Sequence, residues 1–146
     1  MRTAVPALVS LAVLAPAALA GEAPGQAPGA FLRNNPGYRE RAGTFYEKEY
    51  LPGAAAALAR SVRHPRLPEG AARRLLRDYV YDWLAAYIEG EGAVPAAEQA
   101  RLLRDLDGRV REALCDDDAY RRYLNWRLRS GGDDNPLAFL MPPRGP

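Results

Sequence analysis

The chain has 146 residues, of which 20 are Lys or Arg and 18 are Asp or Glu, so its formal net charge is only +2 at pH 7. A charge so close to neutral argues against a nucleic-acid-binding protein, which would need a strongly basic face. The single Cys and the single His exclude an internal disulfide and leave few residues for a metal site or for nucleophilic catalysis.

The first 20 residues are typical of a secretory signal peptide. One basic residue lies within Met1 to Thr3, Ala4 to Ala15 is apolar but too short to span a bilayer, and Ala18-Leu19-Ala20 offers a small-residue cleavage pattern. We therefore expect residues 1–20 to be a Sec-type signal peptide and the protein to be periplasmic or secreted. Removing these 20 residues from 146 would leave 126, enough for one domain with a modest core.

The rest of the chain divides into three parts by composition. Residues 21–34 are rich in Gly, Pro and Ala with almost no charge, which is typical of a flexible linker. Residues 35–130 contain many Ala and Arg and few β-branched residues, so we expect a helical domain there. Residues 131–146 form a Gly/Pro-rich C-terminal tail that contains a short apolar island.

Two helices are predicted at the start of the domain. Asn35-Pro36 is a suitable helix start, and a helix to about Leu51 would carry four residues on one side: Tyr38, Ala42, Phe45 and Tyr46. Pro52-Gly53 must break or kink that helix, and a second one follows from Gly53 to about Arg63. The pattern leaves open whether these are two helices or one kinked helix.

The stretch from Leu67 to Ile88 predicts the central helix of the fold. Pro68 suits a first helical turn, and Gly90 is placed to cap the far end after Glu89. Burial of each large apolar side chain contributes roughly 1.5–3 kcal/mol, so this helix must pack against partners. Its apolar residues recur at i, i+3, i+4 and i+7: Ala72, Leu75, Leu76, Tyr79, Val80, Trp83, Leu84 and Tyr87.

Two further helices complete the predicted fold. One runs from Val94-Pro95 to about Leu114, and the short connection before it makes it an antiparallel neighbour of the central helix. The other runs from about Asp117 to Arg129, with carboxylates at its start where the helix dipole favours them. No strand pattern is present. We predict an all-α fold, a small bundle of four to five helices around a central antiparallel helical hairpin, with a flexible leader and a Gly/Pro-rich tail.

A second stripe on the central helix is the candidate partner-binding face. It contains Arg74, Arg77, Tyr81, Ala85 and Ile88, and Tyr and Arg are enriched where interfaces bury area. The alternative is that another helix of the same chain, for example the Tyr38–Tyr46 helix, covers this stripe. The alternative is slightly favoured, because a helix that is apolar on two sides is usually central in its own bundle.

The apolar island from Leu137 to Met141 has two interpretations as well. Its side chains, among them Leu137, Phe139 and Leu140, would either fold back onto the bundle or dock into another protein as a peptide. The fold-back interpretation is favoured, and the three residues are kept as candidate partner-binding residues under the other.

Cys115 is the candidate redox residue. As the single Cys of a chain expected in an oxidising compartment, it is either an inert, at least half-buried thiol, which is favoured, or a bridge to a second chain. His64 would serve it as a base only if the fold brings the two together. Asp116 to Asp118 lack the glycine and alternate spacing of a calcium loop. We therefore expect no catalytic residues, no metal site and no cofactor.

Two short segments resemble a motif of a known family. Leu67-Pro68-Glu69-Gly70 precedes the central helix, and Leu114-Cys115-Asp116-Asp117-Asp118 precedes the last one. Both resemble the helix-opening turn of the periplasmic LTxxQ-motif family, the Spy/CpxP-like helical stress proteins, with Cys115 at the Thr capping position and Asp118 at the Gln position. The resemblance implies an exported helical bundle that binds unfolded clients or senses envelope stress and metals, without catalytic residues.

Two functions are compatible with these observations. The first is an exported, non-enzymatic helical protein that binds another polypeptide in a chaperone-like or envelope-stress role. The alternative is a metal- or redox-responsive periplasmic sensor that uses Cys115, His64 and the nearby acids. The expected partner is a protein or peptide client, with a homodimer if Cys115 bridges two chains. No nucleic acid and no membrane span after signal cleavage are expected.

Overall fold

The computed structural model describes residues 35–130 and 137–140. In that part of the chain every element of secondary structure is a helix and none is a strand, which confirms the predicted all-α bundle. The predicted signal peptide, the linker and most of the C-terminal tail lie outside the described residues. The elements are α1 (Tyr38–Glu49), α2 (Leu51–Val62), α3 (Glu69–Glu89), α4 (Ala96–Leu114), α5 (Asp117–Arg129) and the short 3-10 helix η1 (Ala138–Leu140).

Helix α3 is central, as its pattern predicts. It packs against α1, α2 and α4, and α5 closes the bundle by packing on α2 and α4. The apolar stripe of α3 points into the core, where seven of its residues are buried: Ala72, Leu76, Tyr79, Val80, Trp83, Leu84 and Tyr87. Helices α3 and α4 form the predicted hairpin. Across the described residues, none of these helices combines the length and apolarity that a bilayer span needs.

The junction between α1 and α2 lies at Tyr50, which answers the question that Pro52 left open. The N–H of Tyr50 still bonds to the Tyr46 carbonyl, and the N–H of Ala54 bonds to the Tyr50 carbonyl, each at 3.0 Å. Pro52 lies in the first turn of α2, where its missing N–H leaves no helix hydrogen bond unmade. The chain therefore forms two helices that meet at one residue.

The turn after α3 depends on Gly90. Its N–H bonds to the carbonyl of Ala86 and the N–H of Glu91 bonds to that of Ile88, so the helix ends there as predicted, although the φ of Gly90, −84°, is not left-handed. The left-handed positions are Glu91 and Gly92. A Cβ atom at Gly90 would collide with the carbonyl oxygen of Ala93, so close backbone approach requires the glycine.

Helix α5 begins at a different cap from the one that the family resemblance implies. Asp116 is the N-cap, and its carboxylate accepts hydrogen bonds from the backbone N–H groups of Asp118 and Ala119. Cys115 instead ends α4 in a left-handed conformation with φ of 50°. The assignment of Cys115 to the capping position is therefore wrong by one residue, because an aspartate carboxylate is the better acceptor at a helix start.

The apolar island of the tail folds back onto the bundle. Leu137, Phe139 and Leu140 are buried, and η1 packs on α2 and α5. The Phe139 ring lies 5.5 Å from the Trp126 ring and 5.7 Å from the Tyr79 ring, measured between centroids. The fold-back interpretation is confirmed. The assignment of these three residues as partner-binding is corrected, since their own domain already covers them.

A buried ionic cluster joins α4 to α5. The Arg127 guanidinium donates to both carboxylate oxygens of Asp107, at 3.0 and 2.9 Å, and the Tyr123 hydroxyl donates to the same carboxylate at 2.6 Å. The side chains of Arg127 and Asp107 are only 6% and 17% exposed. Burial and the neighbouring Asp107 raise the pKa of Tyr123, so its hydroxyl keeps the proton that it donates to this carboxylate.

Candidate functional site

A surface cleft lies on the outer side of α3, where residues of α1 and α4 meet it. Its volume is about 430 Å³, and it is lined by Arg39, Arg77, Asp78, Tyr81, Asp82 and Arg109. Its volume falls in the range of ligand sites in proteins, but five of its six lining residues are charged, whereas ligand sites are mostly apolar. It contains Arg77 and Tyr81 of the predicted second stripe, and we call it the α3 cleft.

Tyr81 is the aromatic residue of the α3 cleft, and α1 holds it in place. Its hydroxyl donates a 2.7 Å hydrogen bond to Oε2 of Glu47. The guanidinium carbon of Arg39 lies 5.3 Å from the centre of its ring, within cation–π distance. Partial burial and the hydrogen bond to Glu47 raise the pKa of Tyr81. The Tyr81 side chain is therefore uncharged, and its ring has little freedom to rotate.

Arg39 is held by two further contacts. Its Nε donates to the main-chain carbonyl of Tyr81 at 3.2 Å, and one terminal nitrogen lies 3.8 Å from the carboxylate of Glu40. A guanidinium has its donors in a fixed plane, so these contacts set the direction of the remaining N–H groups. Arg39 therefore presents a fixed positive charge at the α1 side of the α3 cleft.

The remaining charges of the α3 cleft differ in how they are paired. Arg109 lies 3.7 Å from Asp82, an ion pair that links α4 to α3. Within the described residues, Arg77 and Asp78 make neither a side-chain hydrogen bond nor an ion pair, and both are exposed. Three arginines against two aspartates leave the lining with a net charge of +1. The cleft thus combines an immobile aromatic group with charged groups that are free to bind.

The predicted stripe is divided by the tertiary structure. Arg74, Arg77 and Ala85 are exposed, whereas Tyr81 and Ile88 are half-buried. Ile88 packs against the edge of the hydrophobic core. The interpretation that the first helix covers the stripe therefore holds for Tyr81, which contacts α1, and does not hold for the two arginines.

The sequence pattern missed four of the six residues that line the α3 cleft. Arg39 and Arg109 come from α1 and α4, and no periodicity in the chain relates them to α3. Asp78 comes directly after Arg77 and Asp82 directly after Tyr81, so a wider stripe on the central helix would have included both aspartates. Only the packing of three helices brings the set together.

The second candidate region is the junction of Cys115 and His64. The His64 Nε2 lies 3.3 Å from Oδ2 of Asp116, the residue after Cys115, so the fold does bring the two segments together. The His64 Nδ1 accepts a 3.1 Å hydrogen bond from the backbone N–H of Arg66. Both ring nitrogens therefore have partners, and neither is free to take a proton from a thiol.

Cys115 itself is exposed, which corrects the expectation of an at least half-buried thiol. The physical reason is its place at the end of α4, where the left-handed backbone turns the chain toward α5 at the surface. Its Sγ lies 3.1 Å from the carbonyl oxygen of Glu112, to which the thiol donates. Among the described residues, no three His, Cys, Asp or Glu side chains are grouped closely enough to hold a metal ion.

No protein-family model matches the chain, and neither a curated protein nor a solved structure shows significant similarity to it. The resemblance to the LTxxQ-motif family therefore stays a prediction.

Proposed function

We propose that this chain is an exported, non-enzymatic helical protein that binds another polypeptide through the α3 cleft. The observation that carries the proposal is the pairing of an immobilised Tyr81 ring with the exposed, unpaired guanidinium of Arg77 in one cleft. Tyr and Arg are enriched among the few residues that contribute most to binding at protein interfaces, because each offers a large contact area together with directional donors.

The rigidity of the α3 cleft supports this proposal. Binding normally requires side chains at the interface to lose rotamer freedom, at about 0.5–1.5 kcal/mol for each flexible one. Glu47 and Arg39 already restrict Tyr81, and Asp82 restricts Arg109. Fewer side chains would therefore lose rotamer freedom when a partner binds this face than when it binds an ordinary exposed helix surface.

A chaperone-like role would depend on polar contacts. Among the described residues, Leu128 is the only large hydrophobic side chain that is exposed, at 47%. A client of this protein would thus contact charged and aromatic groups of the α3 cleft rather than a broad apolar patch. The resemblance to the LTxxQ-motif family and the signal-peptide pattern of residues 1–20 support placing this activity in the periplasm or outside the cell.

The direct test is binding to a permanently unfolded polypeptide. Fluorescence anisotropy with a reduced, carboxymethylated client should show saturable binding, and an aggregation assay on a denatured client should show suppression at stoichiometric excess. The Asp78→Trp variant would fill the α3 cleft and should weaken binding, whereas Glu112→Trp places the same side chain at an exposed site on α4 and should not. Absence of client binding by the unmodified chain would refute the proposal.

The alternative sensor function has one supporting observation, the exposure of Cys115. An exposed thiol in an oxidising compartment can form a disulfide with a second copy of the chain. A redox-responsive homodimer is therefore the second candidate, and its test is whether the solution mass of the chain depends on reductant.

A further inference from the structure

We infer that the ligand of the α3 cleft is an acidic peptide segment, bound through its carboxylate side chains. This inference rests on the proposed polypeptide-binding function and adds the chemistry of the partner. The groups that would recognise it are the guanidinium of Arg77 inside the cleft and that of Arg74, about one helical turn before Arg77 on α3.

Arg74 and Arg77 form a pair of unneutralised cations on one helix face. They are three positions apart in α3, so they lie on the same side of the helix. Both are exposed, and within the described residues neither makes a side-chain hydrogen bond or an ion pair. Each guanidinium therefore keeps its donors for a ligand, and a carboxylate matches their planar geometry with two parallel hydrogen bonds.

The other charges of the α3 cleft add to this preference for an acidic ligand. The carboxylate of Asp82 faces Arg109 and that of Glu40 faces Arg39, so these charges balance in pairs, and the carboxylate of Glu47 accepts the hydroxyl of Tyr81. Among the described residues, the charged groups of the cleft and the neighbouring Arg74 that are left without an ion pair are Arg74, Arg77 and Asp78, a net charge of +1. The field at the cleft therefore favours an anion.

Asp78 determines where the acidic groups of the ligand would lie. It is the one carboxylate of the lining without an ion pair among the described residues, and it would repel a nearby acid. Asp78 is four positions after Arg74 and lies on the same side of α3, so the ligand's carboxylates should bind mainly at Arg77. A peptide fits better than a nucleic acid, because the whole chain has a net charge of only +2.

The test uses the purified full-length chain and fluorescence anisotropy. The probe is a fluorescein-labelled oligoglutamate peptide, with an oligoglutamine peptide of the same length as its neutral match. Free succinate serves as a competitor, since it presents carboxylates without a peptide. The variants are Arg77→Gln, the double variant Arg74→Gln/Arg77→Gln, Asp78→Asn, and Arg60→Gln as an exposed arginine of α2 outside the cleft.

We expect oligoglutamate to bind and oligoglutamine not to bind. Each lost guanidinium should weaken oligoglutamate binding about tenfold, Asp78→Asn should strengthen it several-fold, and Arg60→Gln should leave it unchanged. Raised ionic strength should weaken the binding, because the charges are at the surface. Succinate should compete only at much higher concentration than unlabelled oligoglutamate.

Equal affinity for the two peptides, or full affinity of the double variant with a native circular dichroism spectrum, would overturn the inference. Competition by succinate at the same concentration as oligoglutamate would overturn the assignment to a peptide. The broader proposal, that the α3 cleft binds a polypeptide, would still hold after either result if the unfolded client binds the unmodified chain and Asp78→Trp blocks that binding. If the unmodified chain does not bind the unfolded client at all, both the proposed function and this inference are refuted.

Discussion

The ring of Tyr81 on α3 lies directly against the backbone of Gly43 on α1, where a Cβ atom would stand 2.6 Å from the phenol oxygen. This close approach places the Tyr81 hydroxyl next to Glu47, one turn further along α1, so that the 2.7 Å hydrogen bond forms. A glycine inside a helix normally lowers stability by about 0.5–1 kcal/mol relative to alanine. Here the missing side chain is what lets α1 dock on α3 and form one wall of the α3 cleft.

The first prediction concerns this glycine. Replacing a helical glycine by alanine usually raises stability, but Gly43→Ala should not do so. The added methyl group must push the Tyr81 ring away from Glu47. Gly108→Ala is the matched control, since Gly108 lies in α4 with open space around its Cα, and we expect it to raise the free energy of unfolding by about 0.5–1 kcal/mol. Urea denaturation measures both. Equal stabilisation by the two substitutions would show that Tyr81 is not held as described.

The second prediction concerns the buried cluster between α4 and α5. Asp107→Leu removes the carboxylate that serves both Arg127 and Tyr123, so it should lower the free energy of unfolding by about 3 kcal/mol or more. The triple variant Asp107→Leu/Tyr123→Phe/Arg127→Met removes all three polar groups and should recover most of that loss. Urea denaturation of the single and triple variants is the measurement. A triple variant less stable than the single one would contradict this explanation.

The third prediction is a pH dependence at the start of α5. The backbone N–H of Ala119, then that of Asp118, and the neighbouring His64 hold the pKa of Asp116 below its ordinary value of 3.8. Since the pKa is lower in the folded chain than in the unfolded one, Asp116 stabilises the fold fully above about pH 4 and loses this effect as the pH falls through the folded pKa. Asp116→Asn keeps an acceptor at the cap but does not titrate.

Urea unfolding at a series of pH values compares the stability of the unmodified chain with that of Asp116→Asn. The stability of the unmodified chain should fall below about pH 4 relative to that of Asp116→Asn, while the two should run parallel at higher pH. Parallel curves throughout would mean that the carboxylate of Asp116 does not stabilise the start of α5.

The fourth prediction tests the redox alternative. Because Cys115 is exposed at the end of α4, the chain isolated under oxidising conditions should contain a disulfide-linked dimer that reductant converts to monomer. Cys115→Ser should give monomer under both conditions. Light scattering after size-exclusion chromatography measures the mass. The same mass for both proteins, with and without reductant, would exclude the bridged homodimer.

The pattern of apolar residues predicted the main elements well because it depends on local spacing. The stripe from Ala72 to Tyr87 identified the central helix, and the predicted helix from Asp117 to Arg129 has the observed bounds. The exposure of Cys115 was missed because its left-handed backbone turns the chain at the end of α4, whereas the prediction followed the usual burial of free Cys. The α3 cleft was found only in part, since Arg39 and Arg109 reach it from other helices.

The amino-acid sequence by itself determined that residues 35–130 form helices and that the helix before Gly90 is central, because helical periodicity and burial of large apolar groups act along one segment at a time. Only the tertiary structure decided which charges remain unpaired, which face of α3 stays accessible and what covers the apolar island of the tail. Those properties depend on side chains from distant segments meeting in space, where a missing Cβ at Gly43 or a carboxylate at Asp107 determines how two helices pack.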